Sequence, residues 1–234
     1  MNSTIVERAR QVISVEGDDY FDDDTVLYYA NQAYKKVVSF LINEEKYGFS
    51  GRDSEGRLTR TSSNSSLRAL DKLRVVKLVN NNEIDYTDLE DYVKGVLEIP
   101  EDLQQFLYLK PTNNKQVFRE INFQDLSLLN WGNLRPSQYE GYFYITTLNV
   151  ESENKEVFLL FVDDETNLEI FYIKKPTEIE TQNEVLPDLP ERFINCVVYQ
   201  TAIMMSIQEN IEKPSTNLEA LLQIYTDELQ SNVY

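Results

Sequence analysis

Histidine is absent from the 234-residue chain. Its absence removes the usual general base near neutral pH, the Ser-His-Asp and Cys-His arrangements, and most zinc sites. The single cysteine, Cys196, excludes an internal disulfide. It sits in an apolar helical pattern, the setting of an inert packed thiol. Only 7 glycines are present, which leaves little room for a phosphate-cradling loop, and no GxxxxGK[ST], GxGxxG or GxSxG occurs. No apolar run approaches membrane length, and the N-terminal MNSTIVERARQ lacks an apolar signal core. Synthesis in the cytoplasm, with no export and no membrane contact, is the expectation. Basic residues are scarce: 22 Lys and Arg face 40 Asp and Glu, for a net charge of -18. Such a surface repels nucleic acid, which argues against sequence-specific DNA reading. The same repulsion suits the wall of a passage through which DNA slides.

Apolar residues make up 41% of the chain, enough for a packed core at this length. Tyrosine is plentiful, with 15 copies, and suits half-buried faces and interfaces. Residues 3–15 read as a first helix, with Thr4 and Glu7 at capping-box spacing and Gly17 as the stop. The stretch FDDDTVLYYANQAYKKVVSFL follows. Val26, Ala30, Ala33, Val37 and Leu41 recur at helical steps, so an amphipathic helix runs to about Lys46. Asp22, Asp23 and Asp24 then fall at its start, where carboxylates accept free backbone N–H groups. A calcium EF-hand loop would need Gly at its sixth position and Glu at its twelfth. Counted from Asp18, those positions are Asp23 and Tyr29, so the acidic cluster reads as a helix start.

GFSGRDSEGRLTRTSSNSS at 48–66 reads as a long mobile loop. The charge reverses here. Seven basic residues (Arg52, Arg57, Arg60, Arg68, Lys72, Arg74 and Lys77) stand against Asp53, Glu55 and Asp71. The segment either folds back on its own acidic body or docks on an acidic partner or a DNA backbone. Strand-like runs follow at 73–79, 95–100, 104–111, 140–148, 156–162 and 168–176, with a helical turn at 122–131. After Pro190, the residues Phe193, Val197, Met204, Ile207 and Ile211 hold one face of a helix. Pro214 breaks it, and Thr216 with Glu219 opens a last helix carrying Leu218, Leu221, Leu222, Tyr225 and Leu229.

This order predicts an α+β chain. The N- and C-terminal helix pairs would make a four-helix bundle, with a central antiparallel β-rich insertion projecting from it. The expected divisions are 1–72 (helix pair and basic loop), 73–185 (β-rich insertion) and 186–234 (second helix pair). Carboxylate clusters at Asp22–Asp24, Asp163–Glu165 and Glu178–Glu184 are local and turn-like, so no catalytic, cofactor or metal residue is assigned. Tyr142, Phe143, Tyr144, Phe171 and Tyr172 fit a sheet core or protein interface better than a ligand wall.

Three stretches carry a family resemblance. TVLYYANQAYKKV follows an acidic start and places Asn-x-Ala after an aliphatic turn. EIPEDLQQFLYL joins a short strand, a proline, an acidic residue and a hydrophobic run. In LEIFYIKKPTEIETQNEVLPDLPERFINCVVYQTAIMMSIQEN a strand ends in Lys-Lys-Pro, an acidic loop follows, and Leu-Pro-Glu opens a helix. In that order they resemble the head-to-tail adaptor proteins of short-tailed bacteriophages. The resemblance implies a structural virion protein, not an enzyme. It implies a ring, typically twelvefold, at the head-tail junction. The ring would bridge portal and tail proteins and let DNA pass without specific binding, with copies of itself, portal and other tail or ring proteins as partners. The basic residues from Arg52 to Lys77 are the candidate contact with portal or a neighbouring copy. A soluble acidic protein that mimics DNA and binds a basic partner is the alternative, with a carboxylate-dependent enzyme third.

Overall fold

Valine, alanine and leucine at helical spacing need one continuous apolar face to lie against. In the computed structural model the stripe on the second helix finds that face chiefly in the helix after Pro190. The structure describes residues 5–13, 21–47, 49–52, 58–61, 69–89, 92–112, 116–130, 135–150, 153–180, 186–208 and 215–233. They fall into two compact units, one of Met1–Leu73 with Lys175–Tyr234 and one of Arg74–Lys174.

The first unit holds α1 (Ile5–Ile13), α2 (Asp23–Tyr47), the strands β1 (Phe49–Arg52) and β2 (Leu58–Thr61), and two later helices. Asp22 starts α2 by accepting the Thr25 N–H at 2.7 Å, and hydrogen bonding from the Thr25 side chain, then from its backbone, holds the Asp22 carboxyl below the ordinary range. Arg10 of α1 pairs with Asp23 and donates to the Phe21 carbonyl at 2.8 Å, tying the two helices at the turn. Val26, Ala30, Ala33, Val37 and Leu41 are all buried.

The expected four-helix bundle is not formed. Among the described residues about 40% are helix and 35% strand, and the strand-rich core is not a four-helix bundle. The helix after Pro190, here α4 (Ile194–Gln208), has no charged residue. It buries Cys196, Val197, Val198, Ala202, Ile203 and Met205, so its apolar contacts are not confined to one stripe and it acts as a hub. The helices α1, α2 and α5 (Ser215–Val233) pack on it. Among the described side chains of α5 only Leu229 is buried, while Leu222 and Ile224 are exposed. The stretch expected as a mobile loop contains the antiparallel hairpin β1–β2, with Phe49 opposite Thr61 and Arg52 opposite Leu58.

The second unit is a two-layer β-structure. One sheet has the order β3 (Arg74–Val79), β10 (Leu168–Lys174), β6 (Leu103–Pro111). The other runs β4 (Asp85–Asp88), β5 (Val93–Glu98), β9 (Glu153–Val162), β8 (Glu140–Val150), β7 (Val117–Glu120). The sheets share a core that includes Val79, Leu97, Leu109, Phe143, Phe158, Leu160, Leu168, Ile170 and Tyr172. A second core, with Leu129 and Ile121 over Tyr142, Val157, Leu159 and Phe161, covers the far face of the larger sheet. The short helix α3 (Leu126–Asn130) contributes to this cover. Val157–Val162 are consequently all buried, which explains their unbroken apolar run: a strand with both faces covered has no polar side to alternate with. The insertion is not wholly antiparallel, since β7 pairs with β8 in parallel.

Candidate interaction surfaces

Within the helical unit, one face of α2 grips the segment that leads to α4. Asn31, Tyr34 and Lys35 lie at helical spacings that bring them to one side. The Asn31 amide donates to the Ile179 carbonyl at 3.0 Å, and its oxygen accepts the Ile179 N–H at 2.8 Å. Tyr34 is fully buried. Its hydroxyl accepts the Asp188 N–H at 3.1 Å and lies 3.5 Å from the Asp188 carboxylate. That carboxylate accepts the Thr177 N–H at 2.7 Å. Burial and the neighbouring Asp188 push the Tyr34 phenol well above its usual range. Lys35 bonds Glu178 at 2.6 Å on the exposed side. The Asn-x-Ala stretch thus holds the chain between Lys-Lys-Pro and Leu-Pro-Glu. No chemistry is needed to explain these polar residues: they satisfy backbone groups of a segment with no regular ladder of its own.

A polar chain continues at α4. Arg8 donates to the Asn195 side chain at 2.5 Å, and Asn195 donates to Glu228 at 2.8 Å. It links α1, α4 and α5.

The described members of the seven basic residues are divided between the two units. Lys72 belongs to the helical unit and donates to the Pro187 carbonyl at 3.4 Å. Arg74 and Lys77 are exposed on β3 of the strand unit. Arg52 and Arg60 lie on β1 and β2, where Arg60 opposes Ser50 and Arg52 opposes Leu58. Arg57 and Arg68 lie outside the described residues.

The strand unit carries a groove of about 510 Å³ lined by Lys77, Glu83, Asp85, Val96, Glu98 and Leu148 among others. Its carboxylates are partly engaged. Glu83 accepts the Asn80 N–H at 3.0 Å and the Asn80 amide at 2.8 Å, which lowers its pKa. Glu98 pairs with Lys155 at 2.8 Å. Among the described residues no three Asp, Glu or Cys side chains are placed to hold a metal ion. None of the described helices is long and apolar enough to cross a membrane.

The aromatic residues separate by face. Phe143 and Tyr172 lie between the sheets and Tyr142 beneath the second core. The Tyr172 hydroxyl donates to Asp102 at 3.0 Å; burial and that carboxylate push its pKa up to about 12. Phe171 lies on the outer face of the smaller sheet and stacks on Tyr108, with ring centroids 4.2 Å apart. Beside them Val76 and Leu78 are each 56% exposed. The sequence pattern of the aromatics fits a sheet core or an interface alike, because periodicity separates the two faces of a strand without saying which face is covered.

No family model matches the chain, and no curated protein matches it.

Proposed function

We propose that this chain is a structural ring protein of the bacteriophage head-tail junction. It would sit between portal and tail with its acidic surface along the DNA passage. What carries the reading is the convergence of the stretches on which the resemblance rests. The Asn-x-Ala stretch is far in sequence from the acidic loop after Lys-Lys-Pro and the Leu-Pro-Glu helix start, and Asn31–Ile179 and Tyr34–Asp188 join it to them. Such a junction suits a rigid body that works by holding shape. An acidic lumen, at a net -18 per chain, favours sliding over sticking. A ring also needs two different faces of each subunit to meet, and the half-exposed apolar face of the smaller sheet supplies a surface of that kind.

The test is a native pull-down of the tagged full chain from infected cells, with mass spectrometry of its partners and electron microscopy of the eluate. Recovery with a portal ring, or in particles at many copies per particle, is the expected result. Recovery with a basic cellular protein and no virion component would replace this reading with that of a DNA mimic. Charge reversal of Arg52, Arg57 and Arg60 to Glu is expected to weaken portal recovery while leaving the monomer folded. Unchanged recovery at moderate salt removes those residues from the contact.

A further inference from the structure

We propose that the outer edge of β3 binds an acidic extended segment of a partner protein by strand addition. Arg74–Val79 pairs with β10 on one side and ends the three-stranded sheet on the other. Among the described residues no backbone hydrogen bond reaches Val75–Val79 from that outer side. An open edge is a template for another strand, and folded proteins usually blunt it with short length, proline, a bulge or charge. Here the strand is 6 residues long, lacks proline, and pairs with β10 without a register shift. Among the described residues, charge is the protection that remains.

That charge has one sign. Arg74 and Lys77 are the strand's only ionisable residues, both exposed. They stand in a unit, residues 74–174, with eighteen acidic and nine basic residues. Two like charges disfavour pairing with a second β3 and favour a strand bearing carboxylates. The two faces set the pattern of that strand. Arg74, Val76 and Leu78 share the outer face beside the Tyr108–Phe171 stack, so the incoming segment places a carboxylate opposite Arg74 and apolar or β-branched residues opposite Val76 and Leu78. Lys77 points to the other face, where it shares the groove with Glu83 and Asp85. A second carboxylate, three residues from the first, faces it there in competition with those two.

This inference rests on the ring reading for the existence of a partner, but its test needs no portal. The probe is a capped peptide, TVDVTD, titrated into the full chain and followed by backbone NMR and hydrogen exchange. Its two Asp residues oppose Lys77 and Arg74 in antiparallel register. Saturable binding with new protection of amides within 75–79 is expected. The TVKVTK control should bind about tenfold more weakly, from two cross-strand pairs changed from attraction to repulsion. The double variant Arg74→Glu, Lys77→Glu should reverse the preference. Because both residues are exposed, it keeps the fold. Equal binding of both peptides, binding without protection in 75–79, or no binding overturns strand addition. Self-association of the chain that the double variant abolishes, with no peptide binding, assigns the edge to a second copy and also overturns it. Portal recovery that survives a failed peptide titration leaves the ring reading standing; peptide binding without portal recovery removes the ring reading alone.

Discussion

Replacing Asn31 probes the latch between α2 and the segment leading to α4. Its side chain makes two bonds to one residue, accepting the Ile179 N–H at 2.8 Å and donating to the Ile179 carbonyl at 3.0 Å. Ile179 itself is 3% exposed, so water replaces the lost partner poorly. At about 1 kcal/mol for each bond, Asn31→Ala should destabilise the helical unit by about 2 kcal/mol. Asn31→Asp is the sharper variant. It keeps the acceptor for the Ile179 N–H, loses the donor, and sets a carboxylate against the Ile179 carbonyl. It should cost at least as much as alanine despite being nearly isosteric. Equilibrium urea unfolding gives the free energies, and hydrogen exchange at the Ile179 amide localises them. If Asn31→Ala stays within about 0.5 kcal/mol of the parent, or the Ile179 amide keeps its protection, the latch contributes nothing and the reasoning fails.

The strand unit offers a steric test at Gly95, where an added Cβ would lie 2.8 Å from a Tyr86 ring carbon and 2.9 Å from Ile84 Cγ2. Gly95→Ala should therefore destabilise by about 1–3 kcal/mol in thermal or urea unfolding; an unchanged midpoint would show that Tyr86 swings away freely. Tyr172 and Tyr225, both with pKa pushed up to about 12 chiefly by burial, should ionise late in an absorbance titration. Their folded values lie above the ordinary phenol value of 10.0, so the folded state holds protons that the unfolded state releases. The stability this represents is fully present below pH 10 and is lost as pH rises through 12. Tyr172→Phe should flatten part of that loss, and an unaltered pH profile would count against the assignment. Cys196, fully buried, should react with a thiol reagent only after denaturation; fast labelling of the folded chain would mean that α4 opens easily.

Several elements were legible because local patterning and final environment agree. Val26, Ala30, Ala33, Val37 and Leu41 are expected on one helical stripe and all are buried. Asp22 is expected at a helix start and caps Thr25. The unbroken run Val157–Val162 is legible as a covered strand for the same reason. The failures have equally local causes. One face of α4 was expected to carry the apolar contacts, yet Ile207 is 59% exposed while Val198, Ala202, Ile203 and Met205 on other sides are buried. With no charge to mark a solvent side, periodicity has nothing to read there. Asp85–Asp88 is not among the expected strands and is one, because β5 and the space over Gly95 for Tyr86 hold it in place. The hairpin β1–β2 hides in a Gly- and Ser-rich stretch for a similar reason: cross-strand pairing overrides weak propensity.

The roles of Asn31, Tyr34 and Asp188 had no signal of their own, since their partners lie more than a hundred residues away in sequence. The sequence by itself determined what is additive along the chain. The acidic surface, the missing histidine chemistry, the helical ends and the strand-rich middle all follow from composition and short-range periodicity. Only the tertiary structure decided which apolar faces found a cover. It made α4 a hub instead of one wall of a bundle, buried Phe143 and Tyr172 while leaving Phe171 with Tyr108 on an outer face, and gave β3 an open edge. Burial and pairing are properties of neighbours brought together by folding, and residue order alone does not name those neighbours.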